Sequence, residues 1–254
     1  MNLFTKQKKE TTDIIPKQFI RIWLGPKKIP DLFEKWWTGF QNIHPDYKFI
    51  TIVDEDSKKA FNEIYSSREQ RHRFIDADSF WETKNTLYYH LQSIYKESKT
   101  YAGLSDILRI VALYELGGIY LDTDMMPIKS FDKLLEDNTP FACKRSSKSF
   151  ESAVLGGPAK HTAFINLINA IEPWYEMHKE KVMIFAGAFI SSEWFGNPDI
   201  RHLPIKTFYP YNGFMAPKRH EKEKIFENIS NFPKEMIAAH FSNHIWGGKP
   251  KGKI

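Results

Sequence analysis

The chain has 254 residues, of which 42% are hydrophobic and 26% are charged, a composition typical of one α/β domain with a sizeable core. The formal net charge of +5 is modest and spread along the chain, which argues against nucleic acid as the main partner. The single cysteine, Cys143, excludes an internal disulfide and a cysteine-rich zinc site. Apolar runs fall short of the roughly 18 residues that a membrane helix needs, and residues 1–10 lack a signal-peptide pattern. We therefore expect a cytoplasmic protein, able to attach peripherally to the inner face of an anionic membrane.

The first part of the chain alternates between strand and helix patterns. Residues 1–13 are polar and lysine-rich, which predicts a loose tail. The β-rich run Phe19–Leu24 predicts the first strand, and the alternating run Tyr47–Val53 predicts the second. The stretch Arg68–Trp81 is charged and is expected to be irregular. Helices are predicted at Asp31–Phe40, Ser57–Tyr65 and Thr86–Tyr95.

The stretch Ala102–Pro127 is the most informative part of the sequence. It predicts a helix with Ser105 as its N-cap and Asp106 in its first turn, where a negative charge suits the helix dipole. The helix is apolar nearly all round except for Arg109, so we expect it to be buried, with Asp106 and Arg109 as neighbours on one side. Two glycines then predict a left-handed stop, followed by a short apolar strand.

Two aspartates follow that strand. Side chains two apart in an extended backbone point the same way, so Asp122 and Asp124 are expected to project together from the strand's carboxyl end. Ligands bind at that end of open α/β sheets. Two converging carboxylates repel each other unless a cation joins them, and oxygen ligands suit Mg²⁺ or Mn²⁺. Tyr120 is expected to lie on the opposite strand face or across the cleft.

The second part of the chain continues the α/β pattern, with no linker that would divide it into two domains. A short helix or turn is predicted at Phe131–Leu135 and an amphipathic helix at His161–Ile171. A strand is predicted at Phe141–Cys143, and either another strand or a tight loop at Ala153–Gly157. We expect a single domain over residues 14–248, followed by a basic tail over 249–254.

The segment SDILRIVALYELGGIYLDTDMMP resembles the sugar-transferase region of DXD-containing retaining glycosyltransferases. These include capsular-polysaccharide enzymes and α-mannosyltransferases of family 32, and the catalytic domains of large clostridial glucosylating toxins. The resemblance implies a GT-A fold, an α/β domain with a Rossmann-like nucleotide-binding sheet flanked by helices. It implies a nucleotide-sugar donor, for which we favour a UDP-sugar, a Mn²⁺ or Mg²⁺ cofactor, and a saccharide or lipid-linked saccharide acceptor. Retention of the anomeric configuration is likewise implied by the resemblance.

The same resemblance assigns roles to individual residues. Asp124 is the expected direct metal ligand. Asp122 is expected to contact both the water shell of the metal and the ribose or sugar hydroxyls of the donor. Asp106 and Arg109 are expected to grip hydroxyls of the donor sugar, with Tyr120 among the donor-binding residues. Trp23, at the end of the first strand, is expected to hold the nucleotide base.

The closing segment IAAHFSNHIWGG resembles the family's histidine-and-tryptophan motif. We expect His240, rather than His244, to complete the metal site or to contact the donor phosphate. Trp246 is expected to cover the donor, with Gly247 and Gly248 letting the loop move.

Two other classes of protein could use paired aspartates. A metal-dependent nucleotidyltransferase would do so, but it typically adds phosphate-binding Lys, Arg or Gly-rich elements, and here Arg109 is the nearest equivalent. A non-catalytic nucleotide-sugar-binding module would keep the fold, but the intact set Asp106, Arg109, Asp122 and Asp124 argues for catalysis.

Overall fold

A computed structural model describes residues 14–65, 71–84, 86–98, 100–146, 149–178, 187–194, 196–210 and 219–242. The predicted tails over 1–13 and 249–254 lie outside these ranges, as do His244 and Trp246. The single-domain boundaries that we expect from the sequence stay a prediction.

The described residues form one mixed seven-stranded sheet and a separate two-stranded ribbon. The large sheet contains β1 (Gln18–Trp23), β2 (Lys48–Val53), β3 (His72–Asp76), β4 (Gly118–Leu121), β6 (Phe141–Ser146), β7 (Ser149–Gly157) and β8 (Arg201–Leu203). The ribbon pairs β5 (Met125–Pro127) with β9 (Ala238–His240). The order of the large sheet is β3-β2-β1-β4-β7-β6-β8, and β7 alone runs against its neighbours.

Helices cover both faces of the sheet. They are α1 (Asp31–Ile43), α2 (Glu55–Tyr65), α3 (Gln92–Glu97), α4 (Tyr101–Leu116), α5 (Asp132–Leu135), α6 (Thr162–His178), α7 (Gly187–Trp194) and α8 (Arg219–Phe226). Alternate residues of β1 belong to different cores. Ile20 and Ile22 pack in the cluster that includes α4, α6 and α7, whereas Phe19 packs with Trp37 and Phe40 of α1. The α/β class predicted from the sequence is confirmed.

Three local predictions are wrong. Helix α4 begins at Tyr101 instead of near Ser105, because the extended backbone of Thr100 lets its hydroxyl accept a hydrogen bond from the Gly103 amide at 3.1 Å. Ser105 is buried inside α4, and Asp106 lies beyond the first turn, where the dipole effect is weak. The stretch that we expected to be irregular contains β3. The helix predicted over residues 86–95 is a 3-10 turn at Tyr89–Leu91 followed by α3.

His44 closes α1 as a buried, neutral side chain. Its Nδ1–H donates to the Phe40 carbonyl at 2.9 Å, and its Nε2 accepts a hydrogen bond from the Phe131 amide at 3.0 Å. The ring is 1% exposed and packs against Phe19 and Tyr47. Burial lowers the pKa of His44, an effect that outweighs the opposing influence of the Phe40 carbonyl and of Asp132.

We expect stability to fall in mildly acidic solution because of His44. The unfolded histidine binds a proton near its ordinary pKa of about 6.5, whereas the folded one resists protonation. Its stabilising contribution is therefore complete above about pH 6.5 and is lost as the pH falls toward the lowered folded pKa. Between pH 7 and 5 the loss should be on the order of 1 kcal/mol.

The control is His44→Gln, which cannot gain a proton. Urea unfolding of both proteins across this pH range should give a flatter pH dependence for the variant, although the variant is less stable at pH 7. Parallel curves for the two proteins would show that His44 does not cause the acid sensitivity.

Candidate active site

Two glycines place the end of α4 beside the start of the central strand β4. Gly117 and Gly118 have φ values of 64° and 94°, a left-handed region that favours glycine. The Gly117 amide closes the helix by donating to the Leu113 carbonyl at 2.9 Å. A Cβ atom on Gly117 would lie 2.6 Å from the Ala159 amide nitrogen, so a side chain would not fit. The left-handed helix stop predicted from the sequence is confirmed.

Asp122, Thr123 and Asp124 form a turn between β4 and β5, rather than a continuation of the strand. The Asp122 amide donates to the Ala153 carbonyl at 2.8 Å, and the Thr123 hydroxyl donates to the Ile22 carbonyl at 3.2 Å. The turn is thereby tied to both strands that flank β4. The expectation that the two carboxylates converge at the strand's carboxyl end holds, but a turn brings them together instead of the alternation of an extended strand.

The ribbon brings His240 to this turn. In the pairing of β5 with β9, His240 lies opposite Met125, the residue that follows Asp124. The Phe241 amide donates to the Asp124 carbonyl at 3.0 Å, and the His240 amide donates to the Phe208 carbonyl at 2.8 Å. His240 Nε2 consequently lies 3.1 Å from Asp124 Oδ1 and 3.7 Å from Asp122 Oδ2.

Asp122, Asp124 and His240 offer a set of donors suited to a divalent cation. One ligand atom from each residue lies within 4.8 Å of the other two. Burial lowers the pKa of His240, but the negative charges of Asp124 and Asp122 outweigh that effect, and the pKa is raised. The imidazole therefore holds its proton more tightly, at the position where a metal cation would balance the charge of the two aspartates. Two carboxylate oxygens and an imidazole nitrogen fit Mn²⁺ or Mg²⁺.

Arg109 holds Asp106 and Asp122 on its two sides. Its Nη2 lies 2.6 Å from Asp106 Oδ1, and its Nη1 lies 3.3 Å from Asp122 Oδ1. Nη1 also donates to the Ser152 carbonyl at 2.7 Å, and the guanidinium lies over the Tyr120 ring at 4.6 Å from its centroid. Asp106 and Arg109 are only 7% and 5% exposed. The neighbouring pair predicted on α4 is thus present and buried, and its contact with a donor sugar stays a prediction.

Burial also changes the acidity of Asp106. Loss of water contact raises the pKa of this carboxyl to about 6, with Asp122 acting in the same direction and Arg109 opposing it. A carboxyl whose pKa lies this close to neutrality is a common property of functional residues.

Tyr120 does not lie away from Asp122 as predicted. Its hydroxyl donates to Asp122 Oδ1 at 2.7 Å, where β4 ends and the turn begins. Asp122 therefore accepts from Tyr120 and is paired with Arg109, which fixes one of its oxygens and leaves the other facing His240.

Of the two tryptophans predicted to contact the donor, the structure describes Trp23 but not Trp246. Trp23 lies at the carboxyl end of β1, but it is 4% exposed and its indole N–H donates to the Lys27 carbonyl at 2.6 Å. It packs with Ile29 and Phe33, so its contact with a nucleotide base stays a prediction. Trp246 lies outside the described residues.

Sequence reasoning missed three polar groups near the aspartates. The Ser152 carbonyl binds Arg109, Ser242 Oγ lies 3.1 Å from His240 Nδ1, and Lys222 Nζ donates to the Ser242 carbonyl at 3.0 Å. A backbone carbonyl leaves no trace in side-chain identity, and a serine two residues after a histidine is too common to draw attention.

The sheet order, the acidic turn after β4 and the helices on both faces define a GT-A fold. Solved structures support this class. PaToxG glycosyltransferase matches with a TM-score of 0.60 and 22% identity, covering 72% of this chain and 68% of that one. The galactosyltransferase LgtC, solved with donor and acceptor sugar analogues, matches with a TM-score of 0.53 and 15% identity over 90% of this chain and 88% of its own. At these identities the likeness concerns the fold.

The family resemblance is confirmed as well. Residues 30–141 match the family described as the glycosyltransferase sugar-binding region containing a DXD motif. Asp122 and Asp124 form a D-x-D sequence inside the matched range, and their assignment to the family motif stays a prediction. The matched region runs from the residue before α1 to the first residue of β6, so it includes the turn and Arg109 but not His240.

Two curated yeast proteins are similar over much of the chain. Inositol phosphoceramide mannosyltransferase 3 of Schizosaccharomyces pombe is 27% identical over 246 residues, which cover 91% of this chain and 60% of that protein. Mannosyl phosphorylinositol ceramide synthase CSH1 of Saccharomyces cerevisiae is 26% identical over 174 residues, covering 66% of this chain and 40% of the relative. The chain thus spans about 60% or less of the length of these relatives.

Across the part of the chain that the structure describes, every helix is too short or too polar to cross a bilayer.

The two histidines of the closing segment can be compared directly. We expect His240→Ala to weaken Mn²⁺ binding by about tenfold or more, because it removes one of three candidate ligands. His244→Ala should change Mn²⁺ binding little. Titration of each purified variant with Mn²⁺, followed by electron paramagnetic resonance of the free ion, measures both affinities. A larger loss in His244→Ala would move the third ligand to that residue.

Proposed function

We propose that this protein is a metal-dependent retaining glycosyltransferase that moves a hexose from a nucleotide sugar to a saccharide or lipid-linked saccharide acceptor. The observation that carries the proposal is the convergence of Asp122, Asp124 and His240 at the carboxyl end of β4, with Arg109 buried behind them. The family match over residues 30–141 and the GT-A fold support the same reaction class.

Asp122, Asp124 and His240 would hold Mn²⁺ or Mg²⁺ in this site. A divalent ion there supplies Lewis-acid stabilisation of the negative charge that grows on the departing nucleotide diphosphate. The chain's own residues prepare that site. Tyr120 and Arg109 fix one oxygen of Asp122, and β9 holds His240 against Asp124, so the ligands need little reorganisation when the donor binds.

Asp106 and Arg109 give the site its second proposed role, recognition of the donor sugar. A carboxylate and a planar guanidinium side by side can bind vicinal hydroxyls and reject an analogue that lacks them. The pair is nearly buried, and Asp122 lies on the other side of Arg109. Retention of the anomeric configuration follows from the family resemblance, and product analysis by NMR of the anomeric proton would test it.

The donor and acceptor are proposed more broadly. We favour a UDP-linked hexose, and a GDP-linked donor belongs in the test because both yeast relatives carry mannose in their names. Those names also refer to inositol phosphoceramide and ceramide, which supports a lipid-linked acceptor reached from a membrane surface. The sequence analysis leads us to expect that the enzyme acts at the cytoplasmic face of a membrane.

A thermal-shift panel of nucleotide sugars with and without Mn²⁺ tests this proposal. A ligand that binds the folded state raises the free energy of unfolding by mass action, by about 2.7 kcal/mol at a hundredfold excess over its Kd, and the unfolding temperature rises with it. We expect one UDP- or GDP-sugar to stabilise the protein, and only when Mn²⁺ is present. Stabilisation by no nucleotide sugar, or equal stabilisation after chelation of the metal, would contradict the proposal.

A further inference from the structure

The His240 ring has two nitrogens, and each lies near a different partner. Nε2 is 3.1 Å from Asp124 Oδ1, on the side where a metal would bind. Nδ1 is 3.1 Å from the hydroxyl oxygen of Ser242. A histidine that binds a metal through Nε2 keeps its remaining proton on Nδ1, and an acceptor for that proton fixes both the tautomer and the direction of the ring.

Ser242 occupies an unusual backbone conformation for this contact. Its φ of 55° lies in the left-handed region, which is unfavourable for a residue with a side chain. Conformations of this kind persist where the surroundings hold them in place. Here the Ser242 carbonyl accepts a hydrogen bond from Lys222 Nζ at 3.0 Å, and Lys222 itself is a buried lysine on α8.

We propose that Ser242 is a positioning residue of the metal site, which holds His240 in the Nδ1–H form, and that Lys222 anchors Ser242 in the conformation this requires. The inference rests on the metal site of the proposed function. It extends the site to α8, a helix that lies beyond the residues matched by the DXD family.

Lys222 could affect the metal in a second, opposite way. It is a cation whose charge interacts with Asp124, and burial, which outweighs that attraction, lowers its pKa. A cation beside the acids repels a divalent ion, so removal of its charge alone would tighten metal binding. Loss of the anchor would weaken metal binding instead. Whether Lys222→Met binds the metal more tightly or more weakly than wild type therefore separates the two roles.

Backbone strain and the hydroxyl can be separated by two substitutions at the same position. Ser242→Ala and Ser242→Gly both remove the hydroxyl and both keep the carbonyl that binds Lys222. Glycine accepts a φ of 55° freely, whereas alanine does not. A role in holding His240 predicts the same loss of metal affinity in both variants. A purely structural role predicts wild-type metal affinity in both variants.

The experiment is a titration of the full chain with Mn²⁺, with the free ion measured by electron paramagnetic resonance. We expect Ser242→Gly and Ser242→Ala to bind Mn²⁺ about tenfold or more weakly than wild type, as for other partners of metal-bound histidines. Ser242→Asn should recover part of the affinity, since asparagine tolerates the left-handed region and its amide oxygen can accept the proton. Lys222→Met should also bind more weakly.

Wild-type affinity in Ser242→Gly would overturn the role of Ser242, and tighter binding in Lys222→Met would overturn its role as an anchor. Thermal unfolding of each variant confirms that it is folded during the titration. Wild-type protein that binds no Mn²⁺ would contradict both this inference and the metal site. Mn²⁺ binding that depends on Ser242, in a protein that transfers no sugar, would contradict only the proposed function.

Discussion

Asp124→Asn is expected to lower metal-dependent sugar transfer by about a hundredfold or more, because a metal's stabilisation of the leaving group is worth several kcal/mol. Asparagine keeps the size of the side chain and the backbone carbonyl that binds the Phe241 amide, so the fold should be unchanged. It loses the negative charge that a divalent ion needs and that now pairs with His240. Initial rates of transfer across a Mn²⁺ titration measure the effect.

The matched control for this variant is Asp31→Asn, which changes an exposed aspartate at the start of α1. It should transfer sugar at the wild-type rate. Near-normal Mn²⁺-dependent activity in Asp124→Asn would remove Asp124 from the metal site. A loss of activity together with a lowered unfolding temperature would mean that the residue acts through the fold.

Arg109→Lys is expected to lower kcat/KM for the donor by about a hundredfold, since a small displacement of a catalytic group can cost that much. The guanidinium contacts Asp106, Asp122 and the Ser152 carbonyl at once, and a lysine ammonium is a single point of charge that cannot reproduce this fork. Asp122 would lose a partner that fixes its position. The unfolding free energy should also fall, by about 2 kcal/mol, as charge-assisted hydrogen bonds are lost.

Arg71→Lys provides the control. Arg71 precedes the start of β3 and donates a hydrogen bond to the Pro45 carbonyl, and neither residue belongs to the acidic turn. It should leave both activity and donor selectivity unchanged. The two variants should be compared with UDP- and GDP-linked sugars, by steady-state kinetics. An Arg109→Lys enzyme with wild-type rate and selectivity would reduce Arg109 to a structural role.

The regular elements could be predicted because their patterns are local. The alternation in Tyr47–Val53 and the apolar run before the aspartates correspond to β2 and β4, and the two glycines after α4 have the backbone that such a stop requires. The start of α4 could not be located in the same way, because Thr100 and Ser105 are both good caps by composition. Only the extended backbone of Thr100 decides between them.

The composition of the site depends on contacts between distant segments, which the sequence pattern does not reveal. His240 and Asp124 are 116 residues apart, and they meet through the pairing of two three-residue strands. Strands this short have no periodicity to detect. The choice of His240 over His244 came from the family motif alone. Its contacts with Asp122 and Asp124 agree with that choice, while its role as a ligand stays a proposal.

The position of Tyr120, in contrast, could have been predicted from the sequence. The alternation rule that placed Asp122 and Asp124 together also places Tyr120 on the side of Asp122, and the hydroxyl indeed donates to it. The rule predicts that the two aspartates converge, although both lie in the turn, and the same spacing relates Tyr120 at the end of β4 to Asp122.

The most direct test of the metal-assisted transferase is the release of UDP from a UDP-hexose by the full chain without acceptor, measured with Mn²⁺, with chelator, and after Mn²⁺ is restored. We expect slow formation of UDP and free hexose that stops on chelation, returns with Mn²⁺ and is absent in Asp124→Asn. Release that persists without metal, or cleavage to UMP and hexose phosphate, would contradict it, the latter in favour of chemistry at the diphosphate bond.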